Sequence, residues 1–250
     1  HETMNIHRPH ILILGGGYAG METALRLAGK ARGKADITLV NAANTFVERI
    51  RLHQRAANQP MKSHSIPALL EGVGVSFVQG WVTHLQPDAR TVQVQTEFGT
   101  RTLSYDILVY ALGSMIDRDG VPGVRQNAYT LTPDDMHELR QKLASSERLL
   151  VVGGGLTGIE SATELAESYP NLKVTLATAG TFGERLSSKG QAHLRQIFAR
   201  LRISIRDEAN ITEIAANAAL LDHGESLPFD VCLWAGAFVV PPLARDAGLT

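Results

Sequence analysis

Leu14-Gly15-Gly16-Gly17-Tyr18-Ala19-Gly20 closes the apolar run from Ile11 to Leu14 and opens a helical pattern carried by Met21, Ala24, Leu25 and Ala28. Strand, glycine turn and helix in that order are what a dinucleotide's pyrophosphate requires. Gly15 supplies the tight turn, Gly17 lets the backbone come close to the phosphates, and Gly20 lets the helix pack on its strand. The first N–H groups of the helix then face the anion, with the positive end of the helix dipole behind them. A single such turn also joins strands to helices where no ligand binds, so one copy alone decides little.

A second copy follows. Leu149 to Val152 is another apolar run, Gly153-Gly154-Gly155-Leu156-Thr157-Gly158 succeeds it, and Ile159, Ala162, Leu165 and Ala166 carry the next helical face. Gly15 and Gly153 lie 138 positions apart, too far for a solenoid repeat and suited to one domain following another. Two such turns predict two dinucleotides on one chain. The expected fold is α/β, with two Rossmann-like βαβ domains and a small antiparallel β-meander in each. The expected bounds are residues 1–115, residues 116–238, and residues 239–250 as the start of a return to the first domain.

The totals agree with this and exclude other classes. Of 250 residues, 44% are hydrophobic and 20% charged, with a formal net charge of −1, so a sizeable core is available. A general attraction to nucleic acid or acidic membranes is not implied. A single cysteine, Cys232, rules out a disulfide framework, cysteine zinc sites and a dithiol within these residues. It lies in the run Val231-Cys232-Leu233-Trp234 and reads as a buried small hydrophobe. The histidines show no zinc-ligand spacing, the most suggestive pair being His7 and His10, and no metal is expected. One cysteine suits a reducing compartment. With no signal peptide pattern after Met4 and no apolar run near the ~20 residues of a membrane span, a cytoplasmic location is expected.

Further along, Asp36–Val40 reads as the second strand. The ribose-reading position at its end, usually an acid, holds Asn41, a neutral and weaker partner. The connection to Pro60 contains Phe46-Val47-Glu48-Arg49-Ile50-Arg51-Leu52-His53-Gln54. Its arginines, Arg49 first, read either as a solvated helix face with Glu48 pairing locally or as a clamp on the pyrophosphate, with His53 or Gln54 near the ring system. Val75–Val78, Trp81–Leu85, Thr91–Thr96 and Arg101–Leu103 read as an antiparallel meander, and Asp106–Tyr110 as a strand ending at Ala111-Leu112-Gly113-Ser114. Residues 116–123 mark a domain crossing. Thr132-Pro133-Asp134-Asp135 reads as a cap and first turn of a helix to Ser145. In the second unit Lys173–Ala177 is a strand with Thr178 at the ribose-reading position, followed at a distance by Glu184 and Arg185. Lys189–Leu201 is a helix. Ile203–Ile205, Ile211–Ile214 and Ala219–Leu221 are short strands, and Asp230–Trp234 ends at Ala235-Gly236.

Two glycine-turn units, each closed by a strand ending in an Ala-containing glycine turn, resemble the two-dinucleotide-binding-domain flavoproteins over essentially the whole chain. The resemblance implies FAD in the first unit and NAD(P)H in the second. It implies that Gly15, Gly17, Tyr18, Ala19 and Gly20 meet the FAD pyrophosphate, Asn41 its ribose and Val82 its adenine through the backbone. Ala111 to Ser114, Gly113 among them, would close that side. Gly153, Gly155, Leu156, Thr157, Gly158, Thr178 and Gly236 would line the nicotinamide site, and Glu160 would face the flavin–nicotinamide junction. The Phe46–Gln54 stretch is most similar to the type II NADH dehydrogenase-like branch, while the ferredoxin-reductase branch also places an arginine and a polar residue there. The implied reaction passes a hydride from NAD(P)H to flavin and electrons onward to a quinone or quinone-like acceptor. The alternatives are a ferredoxin or rubredoxin reductase-like flavoprotein, whose acceptor is a small redox protein, and a non-catalytic redox-responsive nucleotide-binding protein.

Three departures from the pattern stand out: Asn41 for the usual acid, Leu112 for the usual Thr, and an end at Thr250. Family members continue beyond that point with a Gly-Asp segment at the flavin and an interface domain. Homodimer or peripheral membrane contacts are expected of such segments.

Overall fold

Ile11 to Leu14 are all buried, and burial on both faces is what permits a continuous apolar run in the middle of a parallel sheet. In the computed structural model, which describes residues 8–46, 52–59 and 64–249, strand His10–Leu14 lies between Asp36–Asn41 and Ile107–Tyr110. It is parallel to both, and Val75–Gln79 pairs with the far edge of Asp36–Asn41. Helix Tyr18–Ala31 lays Met21 and Ala24 against Ile11, Ile13, Ile37 and Leu39. On the opposite face, Leu12, Leu14 and Val40 pack with Leu85, Val92 and Val94. Those residues belong to an antiparallel meander of Trp81–Gln86, Thr91–Thr96 and Gly99–Ser104.

The second unit repeats the plan. Arg148–Val152 lies between Lys173–Ala177 and Val231–Trp234, parallel to both, with Ser204–Arg206 beyond Lys173–Ala177. Helix Leu156–Ser168 follows the glycine turn. Helix Ser188–Arg200 starts at Ser187, whose hydroxyl accepts from the Gly190 N–H, an N-cap. The meander Ile211–Ile214, Ala218–Leu221 and Ser226–Pro228 buries Ile214, Ala219, Leu221 and Leu227 with Leu150, Val152, Cys232 and Trp234. The fold is therefore α/β, with two parallel βαβ sheets that each carry an antiparallel meander.

The chain divides into one unit of His1–Val47, Lys62–Met115 and Val240–Thr250, and another of Glu48–Met61 with Ile116–Val239. This corrects the expectation that residues 1–115 form one continuous domain. The short helix Leu52–Ala56 buries Leu52 and Ala56 against helices Met136–Ser145 and Leu156–Ser168. Polar contacts complete the docking. The Asn58 Nδ2 donates to the Tyr169 hydroxyl (2.8 Å), Arg140 Nε to Asn58 Oδ1 (2.7 Å) and Gln59 Nε2 to Glu164 (2.6 Å).

Two local readings change as well. Val75–Gln79 is a parallel edge strand of the main sheet rather than part of the meander; Ser204–Arg206, read as a short strand, takes the equivalent place in the second sheet. A short half-buried run has the same period-2 pattern in either setting. The second change lies at Thr132–Asp135, which is not a helical first turn, because the helix is Met136–Ser145. Asp135 is drawn away instead: its Oδ2 accepts from the Thr130 N–H (2.7 Å) and hydroxyl (2.8 Å) and from the Arg118 guanidinium. Helix Ile66–Leu70, capped by Ser65, has no counterpart in the sequence reading.

Thr130 is fully buried, so Asp135→Ala strands its buried N–H and leaves the partly buried Arg118 cation without its carboxylate, while the Thr130 hydroxyl keeps Thr132 and Arg118 as partners. The expected loss is about 3 kcal/mol of stability, seen as a lower urea midpoint at unchanged slope.

Candidate functional site

Each glycine turn divides its glycines into two kinds. Gly15 has φ +102°, and a Cβ there would lie 2.1 Å from the Ala111 carbonyl oxygen; a Cβ on Gly20 would lie 1.7 Å from that of Gly15. Gly153 has φ +120°, with its Cβ position 2.7 Å from the Ala235 oxygen, and that of Gly158 is 1.8 Å from the Gly153 oxygen. The fold itself requires these four. Gly17 and Gly155 are different. Their φ values are −77° and −76°, open to any residue, and a Cβ at either would meet nothing within 4 Å.

Among the described residues, nothing requires glycine at these two positions. What each leaves is open space in front of a helix N-terminus. Neither helix has a side-chain cap among the described residues or an acid in its first turn. First-turn N–H groups, a positive dipole end and room for close approach suit an anion such as a pyrophosphate.

The surrounding residues are placed as follows. Tyr18 and Ala19 are exposed on the first turn, Tyr18 standing edge-on to Phe46 at 5.1 Å. The Ala111 N–H donates to Leu14 O and the Ala235 N–H to Val152 O, both at 2.8 Å, so the two Ala-containing turns close their sheets alike. Gly113 has φ +72°, and a Cβ on Gly236 would lie 3.5 Å from the Trp234 ring. Leu112 packs with the first meander's core. Val82 is half-buried at an irregularity in the pairing of Trp81–Gln86 with Thr91–Thr96. Leu156 is 75% exposed at the start of the second helix, with Thr157 half-buried beside it.

Asn41 Oδ1 accepts from the Gly16 N–H (2.9 Å), and its Nδ2 donates to Ala43 O (2.8 Å). The amide braces the glycine turn, and one lone pair of Oδ1 stays open to a hydroxyl donor. Thr178 sits over the second turn, its Oγ1 2.4 Å from where a Cβ on Gly154 would be. His10 spends Nε2 on Thr38 Oγ1 (2.9 Å).

His53 and Glu160 are more than a hundred positions apart in sequence, yet they meet within one unit: His53 Nδ1 lies 3.7 Å from Glu160 Oε2. His53 is 6% exposed, while the Glu160 side chain is 50% exposed. The imidazole is carried on the docked helix itself. Gln54 is half-buried on the same turn and has no side-chain partner among the described residues. Arg49 lies outside the described residues. Cys232 is fully buried, and burial pushes its thiol pKa up. No described helix is long and apolar enough to cross a membrane.

Residues 9–250 match the family model for the pyridine nucleotide-disulphide oxidoreductases. The demethylphylloquinone reductase NdbB of Synechocystis sp. is 30% identical over 264 aligned positions, covering 97% of this chain and 65% of that protein. The type II NADH:quinone oxidoreductase of Staphylococcus aureus is 32% identical over 184, covering 66% of this chain and 45% of that protein. The NDH2 structure from Plasmodium falciparum in complex with NADH shares the fold, with a TM-score of 0.84 at 19% identity over 96% of this chain and 57% of that one. The chain thus spans about half to two thirds of the length of these relatives.

Two outcomes follow. Gly17→Val leaves the melting temperature near that of the parent but weakens FAD binding by roughly tenfold or more, the worth of a lost charge-assisted hydrogen bond. Gly20→Ala instead destabilises by about 1–3 kcal/mol through overpacking. Calorimetric titration and thermal melts separate the two. Cys232 stays unreactive to a thiol reagent in the folded protein and titrates as one thiol per chain in denaturant.

Proposed function

Because the chain belongs to the pyridine nucleotide-disulphide oxidoreductase family, we propose that it is an FAD-dependent NAD(P)H oxidoreductase whose electrons go on to a quinone or quinone-like acceptor. The observation that supports this reading is the pair of glycines, Gly17 and Gly155, that leave open space in front of two helix N-termini. The first cradle, with Gly15, Gly17, Tyr18, Ala19 and Gly20, holds the FAD pyrophosphate, with Asn41, Val82, Ala111 and Gly113 around it. The second, with Gly153, Gly155, Leu156, Thr157 and Gly158, holds that of the nicotinamide dinucleotide, beside Thr178 and Gly236. When bound there, FAD would supply two-electron redox chemistry with the nicotinamide dinucleotide.

The chain's own residues bind, orient and handle protons. Two helix N-termini hold the two diphosphates by backbone N–H groups and dipole. Reduction of a quinone by NAD(P)H consumes one proton beyond the transferred hydride: NAD(P)H, H⁺ and quinone give NAD(P)⁺ and quinol. We assign the holding of that proton to Glu160, whose half-exposed carboxylate lies 3.7 Å from the buried His53. Gln54 is a positioning residue on the same turn. The 250 residues contain a single cysteine, and it is buried, so a dithiol relay is not built from them. Electrons would therefore reach the acceptor without a cysteine intermediary supplied by these residues. The quinone acceptor is supported by the names of the relatives, a demethylphylloquinone reductase and an NADH:quinone oxidoreductase. The proposed location is cytoplasmic, with a membrane-borne quinone reached from the surface.

The test is a visible spectrum of the purified protein. FAD should give a yellow complex that NADH bleaches and added quinone re-oxidises. Restoration by ferredoxin alone moves the chain to the ferredoxin-reductase branch. A colourless protein that still binds NADH supports the non-catalytic reading. Glu160→Gln lowers quinone turnover by roughly 100-fold, the usual worth of a positioned proton donor. FAD content and NADH affinity stay unchanged, as steady-state assays with calorimetry will check.

A further inference from the structure

In the second unit the ribose-reading position, the end of strand Lys173–Ala177, carries the neutral Thr178 where NAD-dependent folds place an acid. Thr178 is committed elsewhere. Its hydroxyl rests over Gly154, its N–H donates to Arg206 O (3.0 Å), and its carbonyl accepts from the Ala209 N–H (2.8 Å).

The chain beyond it folds back. The Glu184 N–H donates to Thr181 O (3.1 Å), and the Glu184 carboxylate lies across Gly180, two positions past Thr178. Its Oε2 and Oε1 stand 2.8 and 3.2 Å from where a Cβ on Gly180 would be. Glu184 is exposed and its carboxylate has no partner among the described residues. A second acid, Glu208, is tied to the same glycine through its N–H to Gly180 O (3.2 Å).

Two cations of the strand and the helix are already paired. Arg206 makes two 2.7 Å bonds to Glu225, and Arg195 pairs with Asp207 at 2.8 Å. Arg185 follows Glu184 and is exposed; it is the rival group for a 2′-phosphate.

We infer that Glu184 is the specificity-determining residue of the second cradle, accepting the ribose 2′-hydroxyl and repelling a 2′-phosphate, so that the chain selects NADH over NADPH. This rests on the reading of the second cradle as the nicotinamide dinucleotide site. A carboxylate that takes a hydroxyl hydrogen bond is the charge-assisted kind, and the same charge close to a phosphate is destabilising.

Calorimetric titration of the 250-residue chain with NADH and with NADPH tests it, without reference to turnover. NADH should bind at least roughly tenfold more tightly than NADPH. Glu184→Gln should weaken NADH about tenfold and leave NADPH equal or tighter, collapsing the ratio. Gly180→Ala, whose methyl displaces only the end of a flexible side chain, should shift the ratio the same way without loss of melting temperature. Equal binding of both dinucleotides by the parent overturns the inference. So does a ratio unchanged in Glu184→Gln, or one that moves only in Arg185→Gln. Binding of neither dinucleotide refutes the reading of the second cradle itself, and the inference with it.

Discussion

A side chain on Gly20 would stand 1.7 Å from the carbonyl oxygen of Gly15, and one on Gly158 1.8 Å from that of Gly153. This backbone-on-backbone approach seats each helix hard against the turn that precedes it. The turn in turn is held by its neighbours, Gly15 N–H on Val40 O and Gly153 N–H on Ala177 O. With strand, turn and helix locked, the first helical N–H groups have one direction available. That direction is toward the open space in front of Gly17 or Gly155. The open space in front of each helix N-terminus is therefore a by-product of close packing.

The same plan is carried out twice with different trimming. In the first unit an amide, Asn41, braces the turn through the Gly16 N–H. In the second a hydroxyl, Thr178, lies over Gly154. Neither brace is charged. Each ribose-reading position has thus been given to the turn, and in the second unit the charge comes from a neighbouring loop. The short helix Leu52–Ala56 shows a similar division of labour. Its sequence place is between two strands of the first sheet, but its buried residues and the hydrogen bonds of Asn58 and Gln59 tie it to the second unit. That docking is what brings a histidine and a glutamate together from distant parts of the chain.

Both glycine turns, the parallel strands around them and the Ala-containing closing turns were legible, because each is a local pattern whose backbone chemistry admits few residues. The burial of Cys232 was legible for the same reason, since its neighbours are all apolar. Edge strands such as Val75–Gln79 and Ser204–Arg206 were legible as strands but not as parallel ones, because a half-buried run alternates alike in either direction. The first turn expected at Thr132–Asp135 failed because Asp135 has a better offer than the helix N-terminus: a buried Thr130 and the Arg118 guanidinium.

From the amino-acid sequence alone came the number of glycine turns, their location and the absence of a dithiol within these residues. These depend on residues adjacent in the chain or on simple composition. Tertiary structure alone decided which unit takes residues 48–61, that His53 lies beside Glu160, and that a carboxylate six positions past Thr178 returns to cross Gly180. Each of those is a meeting of groups whose separation along the chain carries no period, and only the packing of whole elements sets the distance between them.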